Sequence, residues 1–132
     1  MRLTRQSSYA IRTLIYCAVA APELSRIPDI ARAHGISELF LFKLIKPLVE
    51  AGLIETVRGR KGGIRLGRPA SEITLLDAIK LTEDGFALAE CFEGTDIHCP
   101  LVDACDLNGA LKEALNAFFD VLDGYTIADL AG

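Results

Sequence analysis

Cys91, Cys99 and Cys105 fall within fifteen residues in the pattern Cys-x7-Cys-x5-Cys, leaving Cys17 alone among the four cysteines. Thiolates are metal ligands, and their spacing decides which centre they suit. Zinc knuckles use spacers of about two to four residues, so these arcs are too wide for one. Iron-sulfur clusters are gripped by thiolates on loops of variable length, and Gly94 and Pro100 loosen this stretch. A net-negative cluster near the start of a following helix is also favoured by the helix dipole. The fourth ligand stays open. Adjacent residues such as His98 and Cys99 would point different ways and rarely serve one centre, while Asp103, Asp106, Asn108, a residue of a partner chain and solvent all remain.

Two other readings of the cysteines are weaker. Inert cysteines in an interface usually sit in periodic apolar elements, whereas this segment is acidic, polar and irregular. A cysteine nucleophile with His98 or His34 as base lacks an orienting third group, and there is no Cys-x-x-Cys redox pair, so the chain does not read as an enzyme. Cys17 sits in an apolar stripe and reads as a small buried hydrophobe.

A second group of residues points to polyanion binding. Arg58, Arg60, Lys61, Arg65 and Arg68 crowd one short stretch punctuated by Gly59, Gly62 and Gly63. Charge is split along the chain: residues 1–70 carry 12 Lys/Arg against 5 Asp/Glu, and 71–132 carry 2 against 13. A basic half of net +7 beside an acidic half of net −11 implies two jobs. Any one of the cations alone reads as a solvated surface charge. Five on one hairpin and its exit read as a DNA contact.

The elements that must position these residues follow from periodicity and punctuation. Thr4 caps a helix through Tyr9, Ile11, Leu14, Ile15 and Ala18 that Pro22 stops. A second helix starts at Pro28 and ends at Gly35. Ser37 caps a third, so that His34 to Ser37 is the glycine-containing turn of a helix-turn-helix. The third helix runs to Ala51 with Phe40 or Leu41, Leu44, Leu48 and Val49 inward, and Pro47 predicts a bend or break near Lys43 to Lys46. Leu53 to Val57 and Ile64 to Leu66 then form a hairpin, a wing, around the glycine-rich turn. Thr74 with Asp77 resembles a capping box opening a helix through Leu81. From Leu107 the apolar residues Leu107, Leu111, Ala114, Phe118, Val121 and Tyr125 make a seam that calls for a partner helix, a homodimer through this element. Thr126 caps a last turn.

The predicted fold is therefore mainly α: a winged helix-turn-helix DNA-binding domain (1–83), a cysteine-bearing loop (84–105), and a long C-terminal dimerisation helix with its final turn (106–132). A recognition helix in the major groove presents its N-terminal residues to base edges, here Ser37, Glu38, Leu39, Phe42 and Lys43, with Lys46 nearer the phosphates. Phe42 either contacts thymine methyls or closes the bottom of the helix-turn-helix core. In the wing, Arg58, Arg60 and Lys61 suit the negative potential of a narrow minor groove. Arg2 and Arg5 add phosphate contacts.

A chain of 132 residues, 51% hydrophobic, holds one core and an appendage and is not disordered. Its mean hydropathy is +0.31. The longest apolar run, Leu14 to Ala21, is eight residues, against the roughly 20 that span a bilayer. Arg2, Arg5 and Arg12 before that run mimic a secretory signal, but cleavage at Ala18-Val19-Ala20 would destroy the first helix. The expectation is a soluble cytoplasmic protein whose cysteines stay reduced.

Taken together, the residues resemble the Rrf-two type winged-helix regulators. The resemblance covers nearly the whole chain: Met1-Arg2-Leu3-Thr4 with Tyr9-Ala10, Ala51-Gly52-Leu53-Ile54, Val57-Arg58-Gly59-x-x-Gly62-Gly63, three cysteines before the last long helix, and Thr126-Ile127-Ala128-Asp129-Leu130. The family includes the iron-sulfur-cluster regulator IscR, the nitric-oxide sensor NsrR and the rhizobial iron regulator RirA. Phe40-Leu41-Phe42-Lys43 and Pro47-Leu48-Val49-Glu50-Ala51-Gly52-Leu53 look most like the RirA branch. The resemblance implies a dimeric repressor that holds a palindromic operator while its cluster is intact and releases it when iron is scarce or the cluster is oxidised. It matches Cys91, Cys99 and Cys105 to the family's cluster ligands, with 4Fe-4S favoured and 2Fe-2S the alternative. Asn108 stands where IscR-type members place a histidine ligand, Ser8 where NsrR-type members place an acidic one, and Phe42 where a glutamate tunes operator choice in IscR. A thiol-redox or zinc sensor without a cluster, on the same scaffold, is the runner-up.

Overall fold

Thr4 opens the fold as a helix cap. Its Oγ1 accepts a hydrogen bond from the Ser7 N–H at 3.3 Å, and α1 follows over Arg5–Ala20. The computed structural model describes residues 3–83 and 106–132. Ser7, Ala10, Thr13, Leu14 and Cys17 form the buried face of α1. Spaced at three and four residues, they make one stripe along the helix.

α2 (Ile27–His34) starts with Pro28 in its first turn and ends where Gly35 adopts φ 65°, a left-handed cap that glycine takes without a Cβ penalty. Ser37 then caps α3 (Glu38–Glu50) by accepting the Phe40 N–H at 3.0 Å. Leu41, Leu44, Ile45 and Leu48 point inward from α3, while Phe40 and Val49 are half-buried. Of the bend or break expected at Pro47, the break does not occur: α3 is continuous through it, and the Pro47 carbonyl still accepts the Ala51 N–H at 3.1 Å. The missing N–H leaves one carbonyl a turn earlier without its helix partner. That carbonyl belongs to Lys43, an exposed residue, where water can take the bond.

The wing is a two-stranded antiparallel hairpin, β1 (Ile54–Val57) and β2 (Gly63–Leu66), in the register Ile54↔Leu66 to Val57↔Gly63. Its buried residues Ile54 and Ile64 tie it to the head. Ser25, from the α1–α2 connection, adds a one-residue third strand: its N–H donates to the Ile64 carbonyl at 2.8 Å and its carbonyl accepts the Ile64 N–H at 2.7 Å. A Cβ on Gly63 would lie 2.5 Å from the Ser25 carbonyl oxygen, so this close approach needs glycine.

Thr74 and Asp77 form the expected capping box at the start of α4 (Leu75–Thr82). Thr82 donates to the Ala78 carbonyl at 3.1 Å, which leaves the Ser7 hydroxyl to donate to Thr82 Oγ1 at 2.6 Å, a buried polar link between α1 and α4. The Glu83 carboxylate accepts the Thr4 N–H at 2.7 Å.

α5 (Asp106–Asp123) is the long helix expected at the C-terminal end. A second capping box, Thr126 with Asp129, opens α6 (Ile127–Ala131). The two boxes lie side by side: Tyr125 accepts the Leu75 N–H at 2.9 Å and Ile73 accepts the Ile127 N–H at 2.8 Å. Ile127 is thereby fully buried in the same core as Leu14, Leu48 and Ile54. The chain's last turn thus packs into the N-terminal head.

Candidate nucleic-acid interface

Successive residues of an α-helix are turned by about 100°, so the inward set Leu41, Leu44, Ile45 and Leu48 turns Leu39, Lys43 and Lys46 outward. Ser37, Glu38, Lys43 and Lys46 are exposed, Leu39 is 66% exposed and Phe42 56%. Ser37 spends a lone pair on its cap but keeps its O–H as a donor. The cap and first two turns of α3 therefore present a hydroxyl, a carboxylate, two apolar tips and an ammonium on one surface.

Of the two readings of Phe42, closure of the helix-turn-helix core does not hold. Its ring is largely open, and it walls an apolar cleft of about 570 Å³ between α3 and the wing, with Ile45, Val49, Val57 and Ile64 inside and Lys46 at the edge. The residues around the wing tip, Arg58, Arg60 and Lys61, are all exposed. Gly59 has φ 110°, and a Cβ on Gly62 would collide with the Val57 carbonyl, so the tight tip that carries the cations depends on both glycines. Arg65 differs from its neighbours. It stands opposite Glu55 in the hairpin register and donates to that carboxylate at 3.2 and 3.3 Å, which raises its pKa further. Arg68 is exposed.

On α1, the Arg5 guanidinium lies 5.5 Å from the Tyr9 ring centre and 5.1 Å from that of Phe40, which fixes it beside the first turn of α3. Arg12 stacks on the same Tyr9 ring at 5.0 Å. The sequence reading missed Arg12 as part of this group; the i, i+4, i+7 spacing of Arg5, Tyr9 and Arg12 on one helix was the signal available. His34, the last residue of α2, packs tilted against Tyr9 and edgewise against Tyr16, at 6.1 and 6.2 Å between ring centres. Loss of hydration, then the nearby Arg12 charge, hold its pKa below the ordinary histidine value.

Arg2 and the candidate ligands Cys91, Cys99 and Cys105 lie outside the described residues. Cys17 is buried, and burial pushes its thiol up to about 11. A thiol so hard to ionise in an apolar core suits packing and not metal ligation, in line with the sequence reading. Among the described residues no group of three or more His, Cys, Asp and Glu side chains is gathered for a metal ion. Along α5, Leu107 and Val121 are 62% and 59% exposed and Leu111 and Phe118 are half-buried, while Tyr125, expected in the same seam, lies past the end of the helix and is 50% exposed.

A family model described as an iron-dependent transcriptional regulator, Rrf2, matches residues 3–132. Protein aau3 of Rhizobium meliloti is 68% identical over 130 residues, spanning 98% of this chain and 84% of that protein. The HTH-type transcriptional regulator NsrR of Bacillus licheniformis is 45% identical over 131 residues, spanning 98% of this chain and 92% of that one. Among solved structures, the oxidized form of Staphylococcus aureus CymR superposes with a TM-score of 0.79 at 30% identity, covering 99% of this chain and 96% of its own.

Proposed function

The chain belongs to the Rrf2 family of transcriptional regulators, which makes it no enzyme, and we propose that it is a cytoplasmic, homodimeric repressor of iron-responsive genes whose hold on a palindromic operator depends on an iron-sulfur cluster. The observation that carries the DNA-reading part is the shared exposure of the α3 face and the wing cations on either side of the Phe42 cleft. In this reading the head, residues 1–83, places Ser37, Glu38, Leu39, Phe42 and Lys43 at base edges in the major groove. Lys46, Arg2 and Arg5 hold phosphates, and Arg58, Arg60 and Lys61 enter the adjoining minor groove.

The exposed Leu107 and Val121 on α5, with Tyr125 just beyond its end, support self-association, since a helix with apolar residues left open seeks a partner helix. Residues 106–132 then form the dimer unit, and two heads spaced for half-sites about 34 Å apart bind together. Among the described residues no helix is long and apolar enough to cross a membrane.

Cys91, Cys99 and Cys105 would supply the thiolates from the linking segment 84–105, with 4Fe-4S favoured over 2Fe-2S. When bound, the cluster supplies bonds that iron loss or oxidation can break. This segment connects α4, tied to α1 through Thr82 and Ser7, with α5, so its order bears on how the heads are spaced. The RirA-like Phe40-Leu41-Phe42-Lys43 stretch supports iron as the signal. The relatives named NsrR favour a second reading, the nitric-oxide-sensing branch.

Two variants test the proposal. Cys99→Ser should abolish iron-dependent operator binding and leave the dimer intact; a variant that still shifts its operator only with iron present contradicts the ligand assignment. Arg60→Ala should weaken operator binding with the cluster unchanged, and unaltered affinity at moderate salt would remove the wing. Release by stoichiometric nitric oxide, with iron chelation ineffective, would select the second reading.

A further inference from the structure

Phe40 and Phe42 are two residues apart on α3 and so project about 200° apart. Phe42 faces the wing cleft, and Phe40 faces α1, its ring edge-on to Tyr9 at 6.0 Å. The surface on the α1 side is built from cations: Arg5 is stacked on both rings and Arg12 on Tyr9. Both arginines are exposed, and among the described residues neither pairs with a carboxylate, in contrast to Arg65 with Glu55 and Arg32 with Asp29. A guanidinium resting on an aromatic face keeps its N–H edges free while losing much of its freedom to swing, which lowers the entropy cost of accepting a phosphate.

We infer that Tyr9 is a rack that presents Arg5 and Arg12 as a second phosphate clamp for duplex DNA, on the side of the recognition helix opposite the wing. The inference rests on the DNA-reading proposal and adds Arg12 as a contact and Tyr9 as a positioning residue. The clamp grips backbone only, so its contribution is the same for every operator sequence. Straddled by wing and clamp, α3 is fixed in depth and register in the major groove.

The test is the salt dependence of operator binding by the cluster-loaded dimer. Removing one bound phosphate from the footprint lowers the slope of log K against log salt by about 0.9. Because the dimer carries each substitution twice, Arg12→Ala should lower it by about 1.8 and the Arg5→Ala, Arg12→Ala pair by about 3.6, equally on the operator and on unrelated duplex. Thermal midpoint and dimer concentration dependence should stay unchanged, because both sites are exposed and helical. Tyr9→Leu should weaken binding while Arg5 and Arg12 remain. Unaltered slopes for the pair, with Arg60→Ala still reducing affinity, overturn the clamp alone. A pair that instead loosens the dimer overturns it too and assigns the arginines to the acidic half of a second copy. Failure of Arg60→Ala and of the pair together would bring down the DNA-reading proposal itself.

Discussion

α1 and α5 are both amphipathic helices of similar length, yet the chain treats them differently. The apolar stripe of α1 is closed over: Ala10, Leu14 and Cys17 are buried against α3, α4, the wing and α6. The stripe of α5 is left open at Leu107 and Val121, although the chain returns through Thr126 to bury Ile127 in the head. A covered stripe on α1 beside a partly open one on α5 is what the proposal requires, with α1 serving the fold and α5 a partner. Each helix therefore predicts a distinct way to fail.

Leu14→Ala should give the largest effect, a loss of about 2–5 kcal/mol in urea unfolding, because the site is enclosed on all sides and the cavity cannot collapse fully. A loss below about 1 kcal/mol would mean that α1 is less closed than described. Val121→Asp should act in the opposite register. Head stability should hold, but self-association measured by sedimentation should weaken about tenfold or more, the equivalent of about 1.4 kcal/mol, and operator affinity should fall with it. An unaltered dimer would remove α5 as its seam.

The smallest effect sharpens the α1 side. His34 has a folded pKa below its ordinary 6.5, so the unfolded chain takes up the proton first. Its stabilising contribution is complete above pH 6.5 and is lost as pH falls through that value towards the folded pKa. The thermal midpoint of the wild type should therefore drop between pH 8 and 5.5 by more than that of His34→Gln. Equal drops would show that the imidazole is not kept neutral by Arg12 and its enclosed setting.

Local chemistry explains which parts were legible in advance. Thr4, Ser37, Thr74 and Thr126 each announce a helix start, and each side chain accepts the expected backbone N–H. Gly35 and the wing glycines mark turns for the same reason, since a backbone conformation or close approach demands that residue type. Features that depend on distant partners were not legible. Nothing around Ser25 signals that it will pair with Ile64, and the docking of α6 rests on Ile127, the one buried residue of a short helix. Pro47 does not break α3 because propensity measures an isolated helix, whereas Leu44, Ile45 and Leu48 hold α3 onto the core around it. Arg65 read as a free wing cation because the cross-strand position of Glu55 appears only once the register is set. The cysteines are the converse case, informative by type and spacing while lying outside the described residues.

The most direct measurement is the visible absorption and acid-labile sulfide content of protein isolated without oxygen, followed by operator binding before and after the colour is bleached. The account predicts brown protein carrying iron and sulfide, with operator retention lost on bleaching. Colourless, sulfide-free protein after attempted reconstitution, holding its operator regardless, would contradict it.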